Sequence, residues 1–272
     1  VKSNYRVKPF DVVTVVLAYP PREIVINPEN IPLDVVYEDE IMLIVNKPKD
    51  LLVHSDGTNE LTLTKMVESY YSDKNYINSL PIHRLDKETS GLVVFSKSVV
   101  FQPLLDKLLS EKQIRRNYLA FVKGKIDEGK SFVINKPIGN DRHNSNKRII
   151  YKNGQEAITK VKCIAKNKNK NYSILLCSLD TGRTHQIRLH LSSEGYPILN
   201  DDLYGVNSDL CLRMGLFADN IELYHPLLED NLQIDAIKDF EEGNIKEIKT
   251  DFEYLPMWSQ NDKLGVTLID LI

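Results

Sequence analysis

One segment of the chain, residues 83–96, constrains the fold more than any other. It reads HRLDKETSGLVVFS, so that a single acid, Asp86, lies between an apolar stretch and a turn over residues 89–91. The apolar residues 92–95 that follow are typical of a short buried strand. A carboxylate at such a corner has a rigid base, which a nucleophile or a general acid–base requires. The alternative is a surface turn in which Asp86 caps the backbone and Arg84 is solvated.

The sequence HRLDKETSG resembles the active-site motif of the RluA family of RNA pseudouridine synthases, in which the Asp is catalytic. Other segments that are similar to this family occur in its order over residues 33–226. They are the strand pair with an Asn-Lys-Pro sequence over 33–48, the Arg-x-Tyr-x-Ala-x-Val-x-Gly spacing over 116–124, GRTHQIR over 182–188 and YPILNDDLYG over 196–205. Two departures from the family pattern are Asn200, where Gly is usual, and Phe217, where His is usual.

The resemblance implies an isomerase that converts specific uridines of structured RNA to pseudouridine without a cofactor or a metal, on ribosomal RNA or alternatively transfer RNA. Asp86 would act at ribose C1′, Tyr118 would pack against the base and take the C2′ proton, and Arg188 would keep Asp86 ionised. Arg84 would fill the space that the flipped-out uridine leaves. The implied RNA- and base-binding residues are Arg84, His83, Arg183, His185 and Arg116.

The same resemblance implies an α+β fold, with a mixed, mostly antiparallel sheet, flanking helices and a central active-site cleft. We predict that the catalytic domain spans residues 33–272. Residues 1–18 are similar to the last strands of an S4-type RNA-binding domain, most of which we expect to be missing because the chain begins at Val1. Residues 19–32 contain four prolines and are predicted to be a linker.

Apolar residues at helical spacing predict three helices, over residues 61–71, 99–113 and 184–195. Their candidate N-caps are Asn59 or Thr62, Ser98 and Thr184. Alternating or β-branched residues predict strands over 114–124, 157–164 and 172–179.

The charge of the chain is unevenly distributed. The formal net charge is −3, but residues 107–170 contain 17 Lys/Arg and 5 Asp/Glu, a local net charge of +12. Such a basic segment could follow an RNA phosphate backbone if its cations share a face. The alternative is a set of solvated lysines on helices and loops.

Residues 124–131, GKIDEGKS, match the phosphate-loop pattern of nucleotide-hydrolysing enzymes. A phosphate loop requires a helix directly after it, whose N-terminus faces the anion. The apolar residues 132–134 and the Lys-Pro pair behind them predict a strand instead. We therefore interpret the match as a chance feature of a hairpin turn.

Metal and disulfide sites are not indicated. His185 and His190 are five residues apart, a spacing that does not put both on one helix face, so we predict no zinc site. The three cysteines, Cys163, Cys177 and Cys211, are far apart and are expected to be buried reduced thiols of a cytoplasmic protein. Neither a membrane span nor a signal peptide is visible, and we expect a monomer. A non-catalytic RNA-binding protein remains the alternative function.

Overall fold

The computed structural model describes residues 5–12, 32–58, 60–72, 79–167, 171–211 and 213–236. The strands are β1 (Val35–Glu38), β2 (Met42–Lys47), β3 (Leu80–Pro81), β4 (Ser90–Ser96), β5 (Ile114–Lys123), β6 (Ser131–Asn135), β7 (Ile138–Asn140), β8 (Arg148–Ile150), β9 (Ile158–Asn167), β10 (Tyr172–Leu179), β11 (Leu216–His225) and β12 (Asp230–Asp235). The helices are α1 (Leu63–Tyr70), α2 (Gln102–Ser110) and α3 (Gln186–Ser193).

Ten of these strands form one sheet, whose main order is β1-β2-β4-β11-β5-β10-β9-β6. In addition, β3 pairs with β4 and β12 pairs with β11, while β7 and β8 form a separate antiparallel hairpin. The pairing of β4 with β11 is parallel, and the other pairings between these strands are antiparallel. The predicted mixed, mostly antiparallel sheet with flanking helices is therefore confirmed.

The strand predicted over residues 92–95 is the central strand β4, which is buried along its whole length. It begins earlier than predicted, because Ser90 and Gly91 belong to the strand and not to the turn. Gly91 has φ +114°, and a Cβ atom there would lie 2.2 Å from the carbonyl oxygen of Ala218 on β11. The glycine therefore permits the close parallel contact between β4 and β11.

Gly91→Ala is expected to lower the free energy of unfolding by about 3 kcal/mol, because the new methyl group meets backbone atoms that cannot move aside. Urea denaturation would measure the change. Gly129→Ala is the matched control, since Gly129 also has positive φ but has no other atom within 4 Å of its Cβ position. Equal losses in both variants would show that backbone strain, and not the contact with Ala218, accounts for the effect.

Helix α1 begins as predicted, with the Thr62 side chain accepting a hydrogen bond from the Lys65 backbone N–H. The helical spacing predicts one core face with Leu63, Met66, Val67 and Tyr70, and this prediction is wrong for Tyr70. Tyr70 is 44% exposed, whereas Tyr71 is 4% exposed and donates its hydroxyl hydrogen to Glu38. The helix ends at Tyr70, so the backbone turns and directs the next side chain into the core.

The other two predicted caps are wrong. Helix α2 begins after Phe101 without a side-chain cap, and Ser98 instead accepts from the backbone N–H of Val100 in the preceding turn. Helix α3 begins after His185, which has φ +57°, and not after Thr184. The predicted strands over 114–124, 157–164 and 172–179 are confirmed as β5, β9 and β10.

The GKIDEGKS match is followed by the strand β6 and not by a helix. Residues 124–130 connect β5 to β6, and Asp127 pairs with Lys166 of β9 at 2.6 Å. The geometry that a phosphate loop needs is therefore missing, as predicted. The predicted hairpin turn is wrong, because β5 and β6 are not paired: β10 and β9 lie between them in the sheet.

Parts of the terminal predictions lie outside the described residues. These are the strands expected within 1–18, the linker over 19–31 and everything after residue 236. Residues 8–11 form a turn, in which the Asp11 N–H donates to the Lys8 carbonyl. Strand β12 was not predicted. No helix in the described segments is both long and apolar enough to cross a bilayer. The three cysteines are buried and unbridged.

Candidate active site

A cleft of about 510 Å³ lies where the loop before β4, the strand β5 and the N-terminal end of α3 meet. All eight predicted site residues line it, although they come from three distant parts of the sequence. They are His83, Arg84, Asp86, Arg116, Tyr118, Arg183, His185 and Arg188. The expectation of a central cleft that brings these residues together is therefore confirmed.

Asp86 is accessible because burial alternates along the loop before β4, all of whose residues from 82 to 86 border the cleft. His83 and Leu85 are 9% and 4% exposed and hold this loop against the interior, whereas Arg84 is exposed and Asp86 is partly exposed. The Asp86 side chain is 17% exposed, and its backbone carbonyl accepts from the N–H of Thr89 in the following turn. The acid is therefore accessible from the cleft on a backbone that is held from both sides.

Arg188 is the centre of the charged network, with a side chain that is 2% exposed. Its Nη1 lies 3.2 Å from Asp86 Oδ2 and 3.4 Å from Glu88 Oε2. Burial alone would lower the pKa of Arg188, but hydrogen bonds to Asp201 and the charges of the three carboxylates raise it. The guanidinium is therefore permanently charged and lies beside Asp86.

Asp201 was not predicted as a site residue, yet it holds Arg188 in place. Its Oδ2 and Oδ1 accept from Arg188 Nε and Nη2, each at 2.8 Å, in a two-pronged ion pair. Oδ1 also accepts from the backbone N–H groups of Leu203 and Tyr204.

The sequence signal for Asp201 was its position in the YPILNDDLYG segment, residues 196–205, which resembles the family. Its neighbour Asn200 has φ +54°, a conformation that Asn tolerates where the family has Gly.

Lys47 is a second residue that was not predicted as part of the site. It is fully buried at the end of β2, and its Nζ donates to the carbonyls of Pro48, Leu51 and Lys87. Burial lowers the pKa of Lys47 to about 7, against the opposing charge of Asp86. Because Lys87 follows Asp86 directly, Lys47 connects the loop that contains Asp86 to the end of β2. The sequence signal for Lys47 was its position in the Asn-Lys-Pro motif of residues 46–48.

Tyr118 lies on β5 with 4% of its surface exposed and contacts the main core. Burial raises the pKa of Tyr118, while the charge of Arg116 acts in the opposite direction and that of Asp86 in the same direction. The phenol is therefore protonated at neutral pH. It can pack against an apolar ring in the cleft and offer a polar tip beside Asp86.

Two histidines of the cleft are held neutral. Burial, and then the charge of Arg116, lower the pKa of His83 to about 3, and His83 Nε2 accepts from the backbone N–H of Val94. Burial also lowers the pKa of His185 below its ordinary value of 6.5, with Asp86 acting in the opposite direction. Neither ring therefore adds positive charge to the cleft at neutral pH.

The zinc alternative for His185 and His190 has no support in the structure. Both ring nitrogens of His190 are engaged, one with the Thr159 hydroxyl and one with the Lys136 carbonyl, each at 2.9 Å. In the part of the chain that the structure describes, no group of three or more His, Cys, Asp or Glu side chains could hold a metal ion.

A long mixed sheet whose central cleft contains a buried Arg–Asp pair, a protonated tyrosine and several cations suits an enzyme that acts on a polyanionic substrate such as RNA. The family model for RNA pseudouridylate synthase matches residues 41–193, and the chain belongs to this family. The activity is therefore the conversion of uridine in RNA to pseudouridine, and a purely RNA-binding role is not favoured.

Known proteins agree with this assignment. The chain is 37% identical to the uncharacterized RNA pseudouridine synthase YhcT of Bacillus subtilis, over 77% of this chain and 70% of that protein. It is 33% identical to ribosomal large subunit pseudouridine synthase D of Haemophilus ducreyi, over 85% of this chain and 75% of that protein. The fold is similar to that of human RNA pseudouridylate synthase domain containing 1, with a TM-score of 0.63 and 23% identity over 82% of this chain and 88% of that chain.

Proposed function

We propose that Asp86 is the reacting carboxylate of this pseudouridine synthase and that Arg188 and Tyr118 complete the reacting group. The observation that carries the proposal is the 3.2 Å contact between Arg188 Nη1 and Asp86 Oδ2 at the base of the cleft. A buried and permanently charged arginine fixes the position of the neighbouring carboxylate and complements its charge, and a carboxylate held in this way can act as a nucleophile.

In the proposed reaction, the target uridine leaves its stack and enters the cleft, because its reacting atoms are inaccessible inside a helix. Asp86 attacks ribose C1′ or assists departure there, and the bond from C1′ to uracil N1 breaks. The uracil, which leaves with the electron pair of that bond, stays in the cleft, rotates and bonds to C1′ through C5, which releases Asp86. The C5 proton is then lost and N1 takes up a proton, so that the product is an isomer of the substrate. Tyr118 packs against the ring, and because its phenol is protonated it acts as a hydrogen-bond donor and not as the base for the C2′ proton that the resemblance implied. Arg84, which is exposed beside the cleft, fills the vacated space.

We further propose large-subunit ribosomal RNA as the substrate class, with transfer RNA as the alternative. The support is that the relatives from Haemophilus ducreyi and Nitrosomonas europaea, 33% and 36% identical to this chain, are both ribosomal large subunit pseudouridine synthase D. Incubation of the protein with transcripts of each RNA, followed by mass-spectrometric mapping of pseudouridine, would test the choice. Modification of transfer RNA alone would contradict it.

The cleft offers cations to an RNA backbone. Arg84, Arg116 and Arg183 line it, and none of them has an ion-pair partner among the described residues. Together with the basic segment 107–170, they are proposed to contact phosphates and bases. Guanidinium groups without an ion-pair partner are suited to this role, since they can bind phosphate through two hydrogen bonds.

The RNA affinity is accordingly expected to fall steeply with salt, and Arg183→Ala should reduce the slope of log affinity against log salt by about 0.7 to 0.9. Fluorescence anisotropy with a labelled RNA over a salt series would measure this slope. Lys65→Ala on α1, which does not line the cleft, is the control and should leave the slope unchanged. A flat salt response of the unmodified protein would contradict the proposed phosphate contacts.

The remaining predictions stand as part of the same proposal. The enzyme is proposed to act as a monomer in the cytoplasm, without metal or cofactor, through a catalytic domain over residues 33–272. Residues 1–18 are proposed to be the end of an S4-like segment and 19–32 its linker.

A further inference from the structure

The hydroxyl of Tyr204 lies between a backbone amide and a histidine of the cleft. It accepts from the backbone N–H of Arg148, on strand β8 of the β7–β8 hairpin, at 2.6 Å, and it lies 3.0 Å from His185 Nδ1. The two rings meet edge to face, with centroids 5.6 Å apart, and the Arg188 guanidinium lies 5.7 Å from the Tyr204 ring. The turn that carries Tyr204 is held by Asp201, which also binds Arg188.

The donors and acceptors of the Arg148 amide, the Tyr204 hydroxyl and the His185 ring favour one tautomer of His185. Because the Tyr204 oxygen already accepts from the Arg148 N–H, its own hydrogen is available for donation, and in the described part of the chain His185 Nδ1 is the acceptor in reach. Nδ1 must then carry a lone pair, which places the hydrogen of the neutral ring on Nε2. This Nε2 lies 3.9 Å from Asp86 Oδ2.

The other tautomer would be unfavourable at both nitrogens. A hydrogen on Nδ1 would leave the Tyr204 hydroxyl hydrogen without an acceptor in a partly buried place, and it would turn the lone pair of Nε2 towards the Asp86 carboxylate. The backbone of His185 also has φ +57°, an uncommon conformation for a residue other than glycine. Such conformations persist where the surrounding contacts hold them, often at functional sites.

We propose that Tyr204 is a positioning residue that fixes the hydrogen of His185 on Nε2, so that a single donor faces the Asp86 carboxylate and the nucleotide bound beside it. This inference rests on the proposed role of Asp86. Tyr204 does not touch the reacting atoms and acts through His185. The Arg148 amide orients the Tyr204 hydroxyl, so the hairpin contributes to the arrangement.

The proposed arrangement also keeps His185 neutral. The Tyr204 hydroxyl donates to the lone pair of Nδ1, and this hydrogen bond favours the uncharged ring. A protonated ring would instead pair with Asp86 and occupy the carboxylate that has to react. The charged and titratable groups that face His185 are Asp86, Glu88, Arg148, Arg188 and Tyr204. Burial and the two arginines favour the neutral ring, and the two acids oppose it. The loss of the Tyr204 hydroxyl should therefore raise the pKa of His185.

A direct test is nitrogen NMR of the full chain with ¹⁵N-labelled histidine and without RNA. In the unmodified protein, His185 should show a hydrogen on Nε2 and an unprotonated, hydrogen-bonded Nδ1. In Tyr204→Phe, it should show a mixture of the two tautomers. His185→Gln serves to assign the signals. A hydrogen on Nδ1 in the unmodified protein, or identical His185 signals in the two proteins, would overturn the proposal.

The second test is the pH dependence of pseudouridine formation. In Tyr204→Phe, the acid limb of the rate profile should move to higher pH by about one unit. The reason is that one hydrogen bond to the neutral ring is lost, which raises the pKa of His185. Adding Tyr204→Phe to His185→Gln should cause no further shift. Tyr224→Phe, which removes a hydroxyl from an exposed tyrosine of β11, is the matched control and should leave the profile unchanged. A uniform loss of rate without a shift would indicate a merely structural role and would overturn the proposal.

The two tests separate this inference from the proposal on which it rests. The NMR result is obtained without substrate and therefore does not depend on how Asp86 reacts. If Asp86→Asn retained turnover while the tautomers behaved as expected, the role of Asp86 would fail and the tautomer control by Tyr204 would stand.

Discussion

Asp86→Asn should abolish pseudouridine formation while RNA binding survives. The amide has nearly the same shape as the carboxylate, but it cannot attack or assist departure at ribose C1′, so we expect a rate loss of about 10³-fold or more. A tritium-release or mass-spectrometric assay would measure turnover, and fluorescence anisotropy would measure binding. The Arg188 side chain keeps its ion pair with Asp201 in this variant, so the fold should be preserved.

Glu88→Gln is the matched control for this experiment. Glu88 also accepts from Arg188 Nη1, at 3.4 Å, but its side chain is 46% exposed and it does not line the cleft that contains Asp86. The same chemical change two residues away should therefore alter turnover only slightly. Retained turnover in Asp86→Asn, or an equal loss in both variants, would remove Asp86 from its proposed role.

Arg188→Met should have the largest effect on stability. It removes the cation that pairs with Asp201, whose side chain is fully buried, and leaves that carboxylate with only the backbone N–H groups of Leu203 and Tyr204 as partners. Breaking a buried ion pair by removing one partner costs about 3 to 5 kcal/mol in the free energy of unfolding. Chemical denaturation at neutral pH would measure the loss. Turnover should fall as well, because Asp86 loses its neighbouring charge.

The pH dependence of this loss has a definite sign. In the unmodified protein, burial tends to raise the pKa of Asp201, but hydrogen bonds from Arg188 and its charge hold it below its ordinary value of 3.8. A lowered pKa means that the pairing stabilises the fold above that value and that this stability is lost as the pH falls through the lowered pKa. The difference between the unmodified protein and Arg188→Met should therefore be largest at neutral pH and shrink in acid.

Arg115→Met is the control for the loss of an arginine. The Arg115 side chain is 73% exposed and lies 3.8 Å from Glu222, an exposed pair of the kind that contributes at most about 1 kcal/mol. A similarly small change in Arg188→Met would mean that Asp201 finds another partner, and the proposed central position of Arg188 would have to be abandoned.

Most of the candidate site could be predicted from local sequence. Asp86, Tyr118 and Arg188 lie in short motifs whose turn, strand and helix signals are independent of distant residues. Asp201 and Lys47 were missed as site residues, although both lie in segments with recognisable motifs. Their functions depend on the partners that they meet in space, such as the Lys87 carbonyl for Lys47, 40 residues away.

The wrong predictions have a common origin in tertiary context. Thr184 is a good cap by residue type, but the backbone turns into the helix one residue later, at His185, which Tyr204 contacts from another segment. Tyr70 follows the helical period, but the helix ends there and Tyr71 is buried instead. Strand β12 has alternating polar residues that resemble a loop, and it forms because β11 offers it an edge.

The sequence by itself determined the family, the class of the sheet and the residues that are proposed to carry the chemistry, because hydrophobic periodicity and motif spacing are local properties of a chain. The tertiary structure alone decided how these residues are used. Asp86 and Arg188 are 102 residues apart in sequence, and the fold brings them within 3.2 Å of each other, since α3 packs on β8 and β9 while β4, which follows Asp86, lies in the same sheet as β9. This proximity decides the ion pairs and the burial of the site residues and the proposed tautomer of His185. Each of them depends on distance in space and not on distance along the chain.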